Sequence, residues 1–525
     1  MKKIIGIFVC TLMIVTAFPA VNSLDDCKTC PTVPSTTQEG TLVAWNQVQK
    51  LLASDCSGLD QFGWSVSING EYALVGSILQ GSQPGCNWKG SAYVFKRTGT
   101  STWTQQQQLN ASDAAAYNYF GSSVSLDGDR ALIGANGRGF TTDTFPGKAY
   151  VFKRAASGTW TQQAILKAPD GAANDFFGCS VCLKGNYALV GAGGDDDHGQ
   201  CSGSAYVFKY TPSTGWAYQK KLVPSDGITY GYFGGSVSMS GDYAIIGADG
   251  DDDKGFASGS AYVYKLSTGW AFEKKLLASD GAAYDYFGHS VSMSGDYAII
   301  GAAGHDTGVG SAYVFQYTVP GSWIEETIIP SQTGQQDYFG GSVSIDGNNA
   351  IIGADVFSSR RGTAYVFQHI GPGTWTLESQ LLASDGAAQD WFGNSVSISG
   401  YTAIVGADSN SDCGAGSGSA YVFQKFCCLE LKMPKGIYFG RIPITINNVC
   451  AQDIVNLGWT ITVTGGIQGG VVVTNGNIPL IVPGEGKTVK SNSIFGFGFV
   501  TITVDVGCEK RTVQAFVLGP FIYVF

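Results

Sequence analysis

The stretch Phe287-Gly288-His289-Ser290-Val291-Ser292-Met293-Ser294-Gly295-Asp296-Tyr297-Ala298-Ile299-Ile300-Gly301-Ala302, followed by Ser311-Ala312-Tyr313-Val314-Phe315, decides the fold. Val291 and Met293 alternate with small serines, the period-two pattern of a strand packed on one face. Ala298-Ile299-Ile300-Gly301-Ala302 is a short continuous apolar run, as in a strand buried on both faces. Ser294-Gly295-Asp296 between them is short enough for a tight hairpin, and Tyr313-Val314-Phe315 supplies a third strand.

Working outward, the same Phe-Gly start recurs at Phe62, Phe120, Phe177, Phe233, Phe287, Phe339 and Phe392, seven units spaced 52 to 58 residues apart. Each reaches a Gly-Ala-type step 14 residues after the Phe, at Gly76, Gly134, Gly191, Gly247, Gly301, Gly353 and Gly406. Each then reaches Ala-Tyr-Val-Phe or a close variant. A fourth strand opens at a Trp: Trp103, Trp160, Trp216, Trp270, Trp323 and Trp375. Only six follow a unit, and the seventh, Trp45, precedes the first. The expected fold is therefore all-β, a seven-bladed β-propeller closed by its N-terminal strand, because radial repetition with shared closure removes the open edges.

Composition agrees. Charged residues make up 14% of 525, aromatics 12%, and glycines number 73, the balance of a turn-dense β protein. The net charge is −10 and becomes two units more negative if the leader carrying Lys2 and Lys3 leaves. Such a surface repels phosphate backbones, which argues against a nucleic-acid partner. Residues 1–23 read as a signal peptide, with Lys2 and Lys3, an apolar run from Ile4 to Phe18, and small residues after it. No later apolar run is long enough to span a membrane. The expectation is a secreted or cell-surface protein, monomeric, with no transmembrane segment once the leader is removed. Residues 24–40 form a linker containing Cys27 and Cys30, residues 41–426 the propeller, and residues 427–525 a separate β pattern. There Trp459, Ile461 and Val463 alternate with Thr, suggesting an immunoglobulin-like sandwich bracketed by Cys450 and Cys508. Twelve cysteines remain outside the leader, an even number suited to disulfides in an oxidising compartment.

The repeated Phe-Gly, Gly-Ala and Tyr-Val-Phe landmarks resemble the FG-GAP repeat family, whose members include the propellers of integrin α chains. The resemblance covers residues 41 to 426, and these versions of the motif look like those of exported microbial surface proteins. It implies a binding or adhesion role. Integrin-like repeats carry an Asp-rich calcium loop between the first and second strands. Here that connection is Ser294-Gly295-Asp296 or Asp346-Gly347-Asn348, too short to supply six or more oxygens.

Repetition also separates what the fold needs from what it tolerates. The Ser-Asp-Gly-like corner holds Asp55, Asp113, Asp170, Asp226, Asp280 and Asp385, with Gln332 the exception. Two residues before the Phe stand Asp60, Asp175, Asp285, Asp337 and Asp390, replaced by Asn118 and Gly231 in two blades. Such residues suit turns whose backbone donors need acceptors. The interval from the Gly-Ala glycine to the Ala of Ala-Tyr varies from 11 to 16, so the loop between strands two and three absorbs insertions. That loop shares a face with the blade-to-blade corners.

Three of these loops are acidic: Asp195-Asp196-Asp197, Asp249-Gly250-Asp251-Asp252-Asp253 and Asp408-Ser409-Asn410-Ser411-Asp412. The last two place oxygens at alternate positions, as an EF-hand-like loop begins, but lack its Gly and its distal Glu. They read either as solvated acidic loops or as weak calcium sites formed by Asp195, Asp197, Asp249, Asp251, Asp253, Asp408, Asn410 and Asp412. His198 and His305 stand in variable loops and are candidates to face a ligand or solvent. Trp88, in the longest variable loop, is a candidate to stack on a sugar or peptide, or to pack locally. No nucleophile elbow or His-Glu-x-x-His motif is present, so the chain is read as a non-enzyme. The expected function is extracellular binding or adhesion, with a protein or glycan partner on the variable-loop face. The alternatives are a secreted glycosidase or lyase acting on polysaccharide, or a structural envelope component.

Overall fold

A computed structural model describes residues 43–525 except 81–87, 100, 138–144, 320, 333–335, 356–360, 428, 433–434, 440, 449–453, 468–470, 482–484, 507–508 and 525. The leader, the Cys27/Cys30 linker, Cys86 and the Cys450/Cys508 pair lie outside the described residues.

Blade one shows why the repeat folds as it does. Its strands run Phe62–Asn69, Tyr72–Ser77, Ser91–Arg97 and Trp103–Leu109, hydrogen-bonded in that order and antiparallel. Val66 and Ile68 of the first strand are buried while Ser65 and Ser67 are not, as alternation requires; the second strand is buried throughout. Asn69 pairs with Tyr72 across a two-residue turn, and the same register joins Ser294 to Tyr297 in blade five. Six such sheets follow one another along the chain.

The seventh is assembled from both ends. Strands Val396–Ser399, Thr402–Ala407 and Ser419–Cys427 take Val43–Leu51 as their fourth member, with Val43 opposite Cys427 and Leu51 opposite Ala420. A disulfide between Cys56 and Cys413 fastens the same junction.

Both serines of Ser-Val-Ser are used between blades. The first donates its hydroxyl to the Phe-Gly carbonyl of the next blade: Ser65 to Gly121, Ser123 to Gly178, Ser180 to Gly234 and so on, until Ser395 of blade seven returns to Gly63. The second accepts an amide from the next blade, as Ser67 does from Leu126 and Ser397 from Ile68. These bonds form a closed cycle. The Gly-Ala glycine is required there because a Cβ on Gly76 would lie 2.1 Å from the Gly121 carbonyl oxygen. Between blades the core is aromatic. Phe62 meets Tyr93 edge-on at 5.4 Å and Phe95 at 6.0 Å, and the arrangement recurs in every blade to Phe392 with Tyr421 and Phe423.

Leu42–Glu430 is one compact unit, and Leu431–Phe525 belongs to another, the division falling in the strand Leu429–Lys432. The second unit contains a three-stranded and a six-stranded sheet, with Ile444, Ile446, Ile461, Val463, Ile502 and Val504 buried.

Candidate functional site

The corner aspartates have a shared partner. Tyr93 donates its hydroxyl to Asp55, Tyr150 to Asp113, Tyr206 to Asp170, Tyr262 to Asp226, Tyr313 to Asp280 and Tyr421 to Asp385, at 2.8 to 3.0 Å. The tyrosine is the one in Ala-Tyr-Val-Phe, so in six blades the third strand is tied to the corner that enters that blade, blade six with Gln332 being the exception. Burial, together with these carboxylates, pushes the Tyr93, Tyr150 and Tyr313 phenols well above their ordinary range. The second aspartate series is structural as expected: Asp60, Asp175, Asp285 and Asp390 accept the amides of Ser57, Ala172, Ala282 and Ala387 three residues earlier.

A donor stands at each of these six corners, a lysine in four blades, His305 in blade five and Gln108 in blade one. In blade four Lys275 Nζ lies 2.8 Å from Asp226, 2.9 Å from Asp251 and 2.7 Å from Asp253. In blade three Lys221 meets Asp170, Asp195 and Asp197 at 2.8, 2.9 and 2.6 Å. Lys50 in blade seven pairs with Asp385 and Asp412 and donates to Asn410. Burial alone would lower the pKa of Lys221 and Lys275, but the hydrogen bonds they donate to the surrounding carboxylates raise both far above the ordinary lysine value. Blade five uses His305, whose Nδ1 is 3.0 Å from Asp285 and whose Nε2 is 3.8 Å from Asp280. Blade two uses Lys148 on Asp113, and blade one the neutral Gln108 on Asp55.

This geometry regroups the acidic residues that the sequence suggests as calcium ligands. Asp251 and Asp253 do converge, with Asp226 added, their oxygens lying within 4.8 Å of one another. A lysine ammonium already stands among them, and likewise with Asp195 and Asp197. Asp249 is not part of that group; it pairs with His289 Nδ1 of the next blade at 2.8 Å. Asp408 separates in the same way from Asn410 and Asp412. It is 1% exposed, and neither carboxylate oxygen accepts a hydrogen bond. Burial first, then the charge of Asp355, pushes its carboxyl up to about 7. The amides of Asp408 and Ser409 face it and pull the other way, but neither meets hydrogen-bond geometry.

His198 is exposed, with its amide donating to Ser202. His305 is not a solvent-facing loop histidine, since its side chain is only 14% exposed and serves as the blade-five donor. Trp88 is half-buried and packs edge-on against Tyr117 at 5.4 Å and tilted over Tyr119 at 6.5 Å. The same kind of pair in blade four, Phe256 on Tyr284 at 5.3 Å, is open to solvent: Phe256 is 61% exposed and Tyr284 48%. The Tyr284 amide donates to the Phe256 carbonyl, so the variable loop and the corner are joined there.

The lysines were visible in the sequence. Lys50, Lys221 and Lys275 each stand just before the buried Leu of the fourth strand, where the other blades carry Gln108, Ile165, Ile328 and Gln380. Only the three blades with acidic loops have Lys at that position. Phe256 and Tyr284 carried no such mark, because Tyr at the corner also occurs in blades where it packs elsewhere.

The FG-GAP repeat pattern matches residues 45–95, 103–152, 160–208, 216–264, 270–315, 323–367 and 375–423. The chain belongs to the FG-GAP repeat family. Each matched FG-GAP segment begins at the Trp of one blade's fourth strand and ends in the third strand of the next. The sequence repeat and the structural blade are thus offset by one strand, which is why the first segment starts at Trp45, in a strand belonging to blade seven.

Proposed function

We propose that this FG-GAP propeller is an extracellular or cell-surface binding protein that engages a protein or glycan through the face bearing its variable loops. The observation that carries the reading is the exposed aromatic pair Phe256–Tyr284, set on that face and differing from its counterparts in the other blades. Aromatic side chains exposed on a rigid scaffold offer large contact area at little entropic cost, the composition of recognition surfaces. The apolar leader, the family resemblance and the lack, among the described residues, of any helix long and apolar enough to cross a membrane support export. The Asp–Tyr corners of six blades tie the third strands to the blade entries, which supports a rigid base on which loop identity can vary.

The rival reading, a polysaccharide-cleaving enzyme, draws on the carboxyl pair Asp355 and Asp408, since perturbed carboxyl groups are a mark of acid–base sites. The burial of Asp408 keeps it from touching a substrate, which favours binding.

The test is capture of partners from a glycan array and from cell surfaces by the full mature chain, alongside a Phe256→Ala, Tyr284→Ala double variant. Loss of two hot-spot aromatics weakens binding by a factor on the order of ten or more. Absence of any captured partner, or one retained undiminished by the double variant, refutes the proposal.

A further inference from the structure

The seven first strands stand round the propeller axis, and two positions per blade border one end of it: the residue after Phe-Gly and the residue after Gly-Ala. The residue after Gly-Ala in one blade meets the residue after Phe-Gly in the next. A Cβ on Gly193 would lie 3.5 Å from Gly235, and Asp249 reaches His289 at 2.8 Å. By that rule Asp355 borders Asn394, and Asp408 borders Trp64. The fold does not dictate these residues, because the equivalent places in other blades hold Ile, Asn, Gly or Ala. Asp249, Asp355 and Asp408 come from blades four, six and seven, so the acidic arc occupies about half of the ring.

One residue of the arc lacks a positive partner: Asp355 has the His289 imidazole as a charged neighbour, but Asp408 has none. Asp408 is buried with both oxygens unpartnered, and its strongest charged neighbour is another carboxylate, Asp355. Buried carboxylates are otherwise paired or coordinate a metal. Lys221, Lys275 and Lys50, which neutralise the corners, are committed there. On the Asn394 side, Nδ2 donates to the Trp64 carbonyl at 3.4 Å, and Oδ1 lies 2.8 Å from where a Cβ on Gly406 would stand and receives a long bond from Ser395. Asp355 Oδ1 lies 3.7 Å from where a Cβ on Gly341 would stand, a position that is also 3.2 Å from the Tyr338 carbonyl oxygen.

We propose that Asp355 and Asp408, with the Asn394 side-chain oxygen between them, hold a divalent cation of the calcium class at the axial mouth between blades six and seven. The donors are all hard oxygens, which suits calcium over softer metals, and solvent completes the shell from the open side. This site is separate from the Lys-filled corners, and from the hairpin between strands one and two.

Melting of the full mature chain in EDTA, then with Ca²⁺ or Mg²⁺ added, tests it. The expected result is a melting temperature that climbs with the logarithm of Ca²⁺ concentration, less so with Mg²⁺. Asp355→Asn and Asp408→Asn each abolish the response, and Asp253→Asn keeps it. Tb³⁺ bound in place of Ca²⁺ emits on tryptophan excitation, and Trp64→Phe lowers that emission. No response in the wild type overturns the proposal, as does a response that survives Asp408→Asn or disappears only with Asp253→Asn. Stabilisation by acid alone, without any cation response, assigns Asp408 as a neutral acid and also overturns it. Should Asp408→Asn not fold, the Trp64→Phe comparison decides: unchanged Tb³⁺ emission places the ion elsewhere.

Discussion

Lys275 shows how one residue settles the electrostatics of a blade. Its ammonium holds together a buried Asp251 and two half-exposed carboxylates, Asp226 and Asp253. Lys275→Ala leaves the buried charge unpaired, and we expect a loss of about 2–3 kcal/mol, read from urea denaturation, most of it from Asp251. The same substitution opens three carboxylates to a divalent ion, so titration with Ca²⁺ should give heat in the variant at this site and restore part of the stability. Asp408 acts in the opposite sense. Its native pKa, up at about 7, exceeds that of an unfolded aspartate, so unfolding releases a proton between about pH 4 and 7. Its contribution therefore destabilises progressively as pH rises through that window. Asp175, held up to about 6 by burial, adds a slope of the same sign. So does His289, beside Asp249 and Asp355: although burial lowers its pKa, the Asp249 bond and charge raise it, and its stabilisation is lost as pH climbs past the folded value. In EDTA, Asp408→Asn should flatten the pH dependence of the unfolding free energy, read from urea denaturation, by at most about 1.4 kcal/mol per pH unit. Identical slopes in the two proteins would contradict the assignment.

At the scale of the element, the motif reads as a set of contacts between blades. Phe fills the inter-blade core, Ser-Val-Ser supplies two hydrogen bonds and a buried Val, and the Gly-Ala glycine admits the next blade's backbone. Gly76→Ala forces a Cβ to within 2.1 Å of the Gly121 carbonyl oxygen, where no flexible side chain can yield. It should cost more than about 3 kcal/mol, whereas Ser65→Ala, which removes one hydroxyl bond, should cost about 1 kcal/mol. Thermal melting of the two variants side by side checks the order. The motif's periodicity was legible because every blade presents the same neighbour to the next, so the same residues are selected seven times. The donor at each corner was harder to read. Lys, Gln and His arrive there from different elements, Lys275 from the fourth strand, Lys148 from the third and His305 from the loop.

For the whole molecule, closure depends on residues at opposite ends of the propeller. Val43–Leu51 supplies the last strand of blade seven, and Cys56–Cys413 locks the junction across a sequence separation of 357 residues. By loop entropy alone, a bridge of that span is worth about 6 kcal/mol. A Cys56→Ser, Cys413→Ser variant should melt at lower temperature and become sensitive to proteolysis near residues 43–51, while wild type treated with reductant should match it. A variant indistinguishable from wild type would mean that the strand pairing and the serine cycle suffice.

The sequence by itself determined the blade count, the strand order within a blade, the loan of the Trp45 strand to blade seven, and which loops vary. Those features are periodic, and a period in a chain is visible without coordinates. Only the tertiary structure decided which carboxylates share a charge. Asp249 and Asp251 are two residues apart yet serve different partners, because the chain turns as soon as the strand ends at Ala248: Asp249 pairs with His289 of the next blade, while Asp251, whose amide returns to the Ala248 carbonyl, faces Lys275. Asp355 and Asp408 are distant in the chain, yet ring closure makes blades six and seven neighbours at the axis. No spacing along the chain encodes that proximity.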